Sequence, residues 1–209
     1  DVTVRLASGL PALDVQVSFE NFAADHRLQV QFPTGITADF ARFDGHFDVV
    51  SRPLDLPQTD ASWRELPRPE APQRTFTDVS DADHGLMIAN LGLPEASVTR
   101  DNEGRAVIAL TLLRCVGWLS RDDLWNRQGH AGPPLATPEA QEQDGYTFNY
   151  RLIPHDGDWL RASQLAHTFQ TDLIAQVNPL QSGSLPARAS LVAAEPAEFL
   201  VSTIKPAED

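Results

Sequence analysis

The sequence predicts an all-β fold, a large antiparallel β-sandwich, and three observations carry the prediction. Apolar and polar residues alternate with a period of two along most of the chain. Turn-forming residues interrupt these stretches at short intervals. A single segment carries a helical period instead.

The elements follow in order. Asp1–Leu6 already reads as a strand. Leu13, Val15, Val17 and Phe19 alternate with Asp14, Gln16 and Ser18, which predicts a half-buried strand. Leu28, Val30 and Phe32 repeat the pattern and stop at Pro33-Thr34-Gly35. Further strands are predicted at 45–51, 74–79, 85–90, 95–100, 105–116, 145–153, 188–194 and 197–204. Asp101-Asn102-Glu103-Gly104 forms the hairpin turn between two of them. The proline-rich segment 52–73 around Trp63 has no period and reads as an ordered loop or arm, as does 128–143. The helix starts after Asp156-Gly157-Asp158, with Asp158 as N-cap and an apolar stripe of Trp159, Ala162, Leu165, Ala166, Phe169 and Leu173. We expect one sandwich domain over 1–209; two smaller sandwiches split near the 52–73 arm are the alternative.

Composition narrows the partners. The chain of 209 residues carries a formal charge of -13, which repels nucleic-acid backbones and anionic membranes and suits a neutral polar ligand such as a sugar. No apolar run is long enough to cross a bilayer, and no charged-then-apolar leader opens the chain. The single cysteine, Cys115, permits no internal disulfide, which suggests a reducing, cytoplasmic compartment; it reads as a small buried hydrophobe without a neighbouring histidine. The only methionine is Met87, so the chain reads as a fragment of a longer polypeptide or a processed product.

The chemistry-bearing residues converge on one run. The apolar stretch Ala109–Trp118 leads into Arg121-Asp122-Asp123, then Trp125, Arg127 and His130. A strand that delivers charged and aromatic side chains to an irregular loop is a common way to build a ligand-facing edge. Trp118 and Trp125 flank the charged tip and could stack on sugar rings. Asp122 and Asp123 invite a two-carboxylate glycosidase reading, but adjacent strand residues point in opposite directions, and a turn paired with Arg121 or Arg127 explains them more simply. Asp44, His46 and Asp48 would share one face of an extended strand, where three such ligands could hold a divalent metal; a solvated strand face is the simpler reading. No phosphate loop, nucleophile elbow or paired-ligand spacing occurs, so neither a catalytic residue nor a metal site is expected within these residues. Asp25-His26-Arg27 could be a binding cluster; a turn with Asp25 accepting backbone hydrogens and Arg27 facing solvent is the simpler reading.

Several segments together carry a family resemblance. Asp25–Pro33, Thr77–Asp81 leading into Gly85–Asn90, Leu110–Arg114 followed by Arg121-Asp122-Asp123, Tyr146–His155 and Phe199–Lys205 resemble, in that order, the α-mannosidases of glycoside hydrolase family 38, most closely their bacterial and cytosolic branch. No single motif is specific; the ordered set is. The resemblance implies the C-terminal β-sandwich of that family, akin to the sandwiches of galactose mutarotase. It also implies that the nucleophile, the acid/base and the zinc ligands lie in an N-terminal catalytic barrel absent from these residues. No cofactor is then expected here, with zinc in the missing domain.

On this resemblance the chain packs on that barrel within the same polypeptide. The substrate of the whole would be a mannose-containing oligosaccharide, hydrolysed at terminal α-mannosides with retention. Trp118, Arg121, Asp122, Asp123, Trp125, Arg127 and His130 are the expected sugar contacts. Other branches carry an Arg-Arg pair where this chain has Gly117-Trp118. An autonomous carbohydrate-binding module is the alternative reading, and a purely bracing role is the third.

Overall fold

The computed structural model describes residues 1–179, 182–196, 199, 201 and 204–207. The chain divides into two compact units, Asp1–Asp172 and Leu173–Asp209.

The first unit is an all-β sandwich with one helix. Its strands are β1 (Val2–Leu6), β2 (Leu13–Glu20), β3 (Arg27–Pro33), β4 (Phe40–Asp44), β5 (Val49–Pro53), β6 (Glu70–Pro72), β7 (Phe76–Ser80), β8 (Gly85–Asn90), β9 (Glu95–Arg100), β10 (Ala106–Arg114) and β11 (Gly145–His155); the helix is α1 (Trp159–Thr168). A seven-stranded sheet runs β1-β2-β11-β8-β7-β4-β5, and a four-stranded sheet runs β3-β10-β9-β6. All pairings are antiparallel.

The alternation in the sequence decides which face goes inward. Val15, Phe43, Val79, Ile88 and Tyr150 from the larger sheet meet Val98, Ile108 and Leu110 from the smaller one, and together they form the central core. Phe32 meets Tyr150 edge-on across the gap, with ring centroids 5.6 Å apart. The opposite face of the larger sheet carries Phe76, Met87, Ala89 and Ile153, and Ala162 and Ala166 of α1 cover it. Small residues let the helix approach closely there. Its N-terminus is fixed as expected: the Arg161 amide donates to Asp158 Oδ1 at 3.1 Å.

The hairpin at Asp101–Gly104 joins β9 to β10 as the sequence predicts. Asp101 Oδ1 accepts from the amides of Glu103 and Arg105, and Gly104 supplies the positive φ of 80° that closes the turn.

Three expectations need correction. The segment 45–51 is not one strand. Its residues 45–48 turn between β4 and β5, and the Gly45 amide bonds the Asp48 carbonyl at 2.9 Å. Glycine here permits a close turn that a continuous strand would not need. The arm 52–73 is not wholly irregular, since β6 forms at its end against β9. The strand expected at 188–194 does not form; Leu191 is fully exposed, and an alternating segment without a partner strand leaves its backbone groups unpaired. The expected strand at 197–204 falls largely outside the described residues. Among the described residues, no helix is long and apolar enough to cross a membrane.

Candidate functional site

A groove opens at the end of the four-stranded sheet where β3 begins and β10 ends. Its volume is about 610 Å³, and its walls include Asp25, His26 and Arg27, then Arg114 through Arg121, with Arg68 from the proline-rich arm.

An irregularity in β10 aims the wall. The β3 register shifts between Thr111 and Leu113, so Leu112 has no partner across the ladder. An extra residue bends a strand and redirects the side chains beyond it, and here those are Arg114 and Cys115. Arg114 lies directly opposite Arg27, a like-charge pair that would be unfavourable alone. Glu95 resolves the conflict: its carboxylate lies 3.3 Å from Arg114 Nη1 and 3.7 Å from Arg27 Nη1. Arg27 also donates to Glu70 at 2.6 Å, and Arg68 donates to both Glu70 oxygens at 3.1 Å. Burial acts to raise the Glu70 carboxyl, but the hydrogen bonds from Arg27 and Arg68 outweigh it and hold the group below its ordinary range.

The loop beyond β10 is held by Ser120. Its buried Oγ accepts from the Ala131 and Gly132 amides at 3.0 and 3.1 Å, which leaves its own proton for His130 Nδ1 at 3.3 Å. His130 Nε2 then lies 3.6 Å from Asp122. Arg121 grips Asp123 with two hydrogen bonds, at 2.8 and 2.5 Å. That pairing raises the Arg121 guanidinium and lowers the Asp123 carboxyl, keeping both charged. The two adjacent carboxylates therefore have separate partners, Asp123 with Arg121 and Asp122 with His130.

The proline-rich arm is the second support. Glu65 and Arg127 form an isolated bridge and an ion pair, and the Leu66 and Gln128 amides bond across to Asn126 and Arg64 at 2.7 and 3.0 Å. Arg68 lies over the Trp125 ring, 5.0 Å from its centroid.

Of the residues expected from the sequence, Trp118 and Arg121 line the groove. Asp122, Asp123, Trp125, Arg127 and His130 belong to the same loop but lie outside the groove wall. Trp118 is 49% exposed and Trp125 76% exposed, so both keep ring surface open to a ligand.

The groove wall takes in Asp25, His26 and Arg27, the cluster weighed from the sequence, whereas nothing in the sequence pattern points to Arg68, Glu70, Glu95 or Gln141. Gln141 accepts from the Asp25 amide at 2.7 Å and donates to Asp25 Oδ1 at 2.9 Å; Gly117 leaves room for that exchange, since a Cβ there would come within 2.9 Å of Gln141 Nε2. Arg27 is not simply a solvent-facing residue, because it joins the glutamate network. Cys115 is buried as expected, and burial pushes its thiol up. It does have a histidine nearby in space: His26 Nε2 is 4.0 Å from Sγ.

Asp44, His46 and Asp48 are not brought together. Asp44 is buried and accepts from the Thr75 amide at 3.2 Å, whereas His46 and Asp48 sit exposed in the hairpin turn. Among the described residues, no group of three or more His, Cys, Asp or Glu side chains is placed to hold a metal ion such as zinc.

Comparison with known proteins places this geometry in a family. The family model described as "Glycosyl hydrolases family 38 C-terminal domain" matches residues 1–123. The chain belongs to glycoside hydrolase family 38. Within it, the chain is 32% identical over 167 residues to a putative mannosylglycerate hydrolase of Halalkalibacterium halodurans, covering 78% of this chain and 16% of that protein. An α-mannosidase of Saccharomyces cerevisiae is 30% identical over 82 residues, covering 39% of this chain and 7% of the relative. The crystal structure of an α-mannosidase from Enterococcus faecalis superposes with a TM-score of 0.69 at 34% identity, over 88% of this chain and 19% of that one. The family 38 chain thus spans less than a fifth of the length of the relatives it matches, and the part it matches is a C-terminal domain.

Proposed function

We propose that this chain is the non-catalytic C-terminal sandwich of an α-mannosidase that hydrolyses terminal α-mannosides with retention. It packs on an N-terminal catalytic barrel of the same polypeptide and lends its groove to the rim of the sugar site. The observation that carries the reading is the groove itself. It presents the exposed Trp118 and a set of arginines, while Glu70, Glu95 and Asp123 are bound up in ion pairs. Guanidinium groups held this way can donate to sugar hydroxyls while the Trp face receives an apolar ring surface. A retaining glycosidase needs one carboxyl free to protonate the leaving oxygen and a second about 5 Å away to attack, and paired carboxylates at a rim suit neither task.

Two measurements test this. The 209 residues alone are assayed with an aryl α-mannoside, with and without zinc. Turnover above buffer would sink the non-catalytic role. In the longer polypeptide, Arg121→Ala and Trp118→Ala should raise KM more than they lower kcat, because they remove binding made equally in ground and transition states.

A second reading draws on a specific feature. Trp125 is exposed yet braced from one side by Arg68, which leaves one ring face free as a stacking platform. On that reading the chain is an autonomous carbohydrate-binding module. Calorimetric titration with mannose or mannobiose, comparing Trp125→Ala, decides it: absence of heat in both proteins removes the reading.

A further inference from the structure

The end of the sandwich opposite the groove carries a second polar concavity. The groove lies where β3 begins; roughly 20 Å away, where β3 ends at Pro33, the chain runs beside two adjoining clefts. One, of about 480 Å³, is walled by Thr34, Ile36, Asp81, His84, Leu86 and His155 among others. The other, of about 310 Å³, includes Phe40, Arg42, Ser80 and again Asp81 in its wall. The two meet at Asp81 and form one trough along the loop 34–39.

The β7–β8 turn and the end of β11 build its polar side. Asp81 Oδ1 accepts from the Asp83 and His84 amides, both at 2.8 Å, which fixes the turn and holds the carboxylate at the junction. His155 pairs with Gly85 across the ladder, and the missing side chain of Gly85 makes room for the imidazole ring. The ring is tucked in, with 7% of the side chain exposed, and Nε2 reaches the wholly buried Asp78 at 2.8 Å. Arg42 and Ser80 both donate to the other oxygen of Asp78 at 3.1 Å. The carboxylate therefore only accepts, Nε2 carries the proton, and the neutral ring presents a lone pair at Nδ1. That nitrogen is buried and has no partner among the described residues. A buried polar atom without a partner is uncommon and asks for a group that completes it.

We propose that this trough binds a neutral polyhydroxylated molecule of monosaccharide size, with one hydroxyl donating to His155 Nδ1. The lining calls for groups that give and accept at once. Nδ1 needs a donor, whereas Nε and Nη2 of Arg42 still carry hydrogens to give, because its bonds to Asp78 and Ser80 both use Nη1. Hydroxyls do both. Arg42 and Asp81, of opposite sign, border the same space, so neither an anion nor a cation meets one sign alone. Leu86 and the exposed ring of Phe40 add apolar surface of the kind that the C–H face of a sugar covers. His84 stands at the rim, where its ring offers a further contact to a hydroxyl. Because Nδ1 is covered, a hydroxyl reaches it only as the ring shifts, and that shift makes the nitrogen its own reporter. The trough shares no wall residue with the groove, and its ligand does not depend on the activity proposed above.

Titration of the isotope-labelled 209-residue chain with mannose, followed by NMR at the histidine ring nitrogens, tests the proposal. The His155 Nδ1 signal should move with the Leu86 methyls as mannose binds, while the indole signals of Trp118 and Trp125 report the groove separately. Trp125→Ala should leave the His155 response unchanged. His84→Ala, at a side chain that is 79% exposed, should weaken it about fivefold. Mannose 6-phosphate and mannosamine, as anion and cation, should bind more weakly than mannose. Tighter binding of either charged analogue overturns the assignment of a neutral ligand. Shifts confined to the tryptophans, or none at His155, overturn the site itself and leave solvent as the partner of Nδ1. The wild-type titration decides this even should a variant fail to fold.

Discussion

At the scale of single residues, this domain repeatedly gathers charges and then satisfies them. Glu70 is the clearest case, because burial and two arginines act on it in opposite directions and the arginines win. A carboxyl held below its ordinary value makes the folded state bind fewer protons than the unfolded one. Its contribution is therefore complete above the unfolded value near 4.5 and is lost as pH falls through the lower folded value. Wild type should exceed Glu70→Gln in unfolding free energy at neutral pH, and the gap should close in the acid range. Denaturant titrations at several pH values check this; a gap that widens with acid refutes it. A second case lies under the larger sheet. The fully buried Asp78 accepts from His155 Nε2 at 2.8 Å, from Arg42 Nη1 at 3.1 Å and from the Ser80 hydroxyl at 3.1 Å. Removing one member of such a group strands the others, so Asp78→Ala should cost about 3 kcal/mol in urea unfolding. A loss below about 1 kcal/mol would show that water replaces the carboxylate without penalty.

At the scale of elements, legibility followed how local the cause was. The helix was readable because its cap and stripe are encoded within a few turns. Asp158→Ala should lower stability by about 1 kcal/mol, measured by thermal or denaturant unfolding, since the Arg161 amide loses its partner. The β9–β10 hairpin was readable for the same reason: Asp101 and Gly104 fix it between them. β4 and β6 were not readable. β4 is short, and β6 is a three-residue strand inside a proline-rich arm, which exists only because β9 offers it a partner. Gly85 shows the same limit. It looks like an ordinary strand start, yet a Cβ there would lie 2.0 Å from the His155 ring, a demand set by β11 pairing alongside. The groove divides along this line too. Trp118 and Arg121 stood out because they follow an apolar strand, whereas Arg68 and Glu70 come from the arm and reach the site only through tertiary docking.

At the scale of the whole molecule, the uneven sheets give a test that separates folding from assembly. Val4 is largely exposed in these residues, so Val4→Asp should leave the unfolding free energy of the short chain within about 0.5 kcal/mol of wild type. It should also weaken the binding of a hydrophobic dye, because it breaks a contiguous apolar face. A large loss of stability would mean that β1 already packs against a covering layer. The sequence by itself determined the fold class, the order of most strands, the capped helix and the family, because period-two alternation, turn chemistry and ordered motifs are written in neighbouring residues. Only the tertiary structure decided that four arginines from three separate segments share one groove, that their acids neutralise them, and that the β1 margin of the larger sheet lies exposed. Those are contacts between residues far apart in sequence. Their partners are chosen by sheet register and by which strands a sheet gains, and neither is visible in any one stretch of chain.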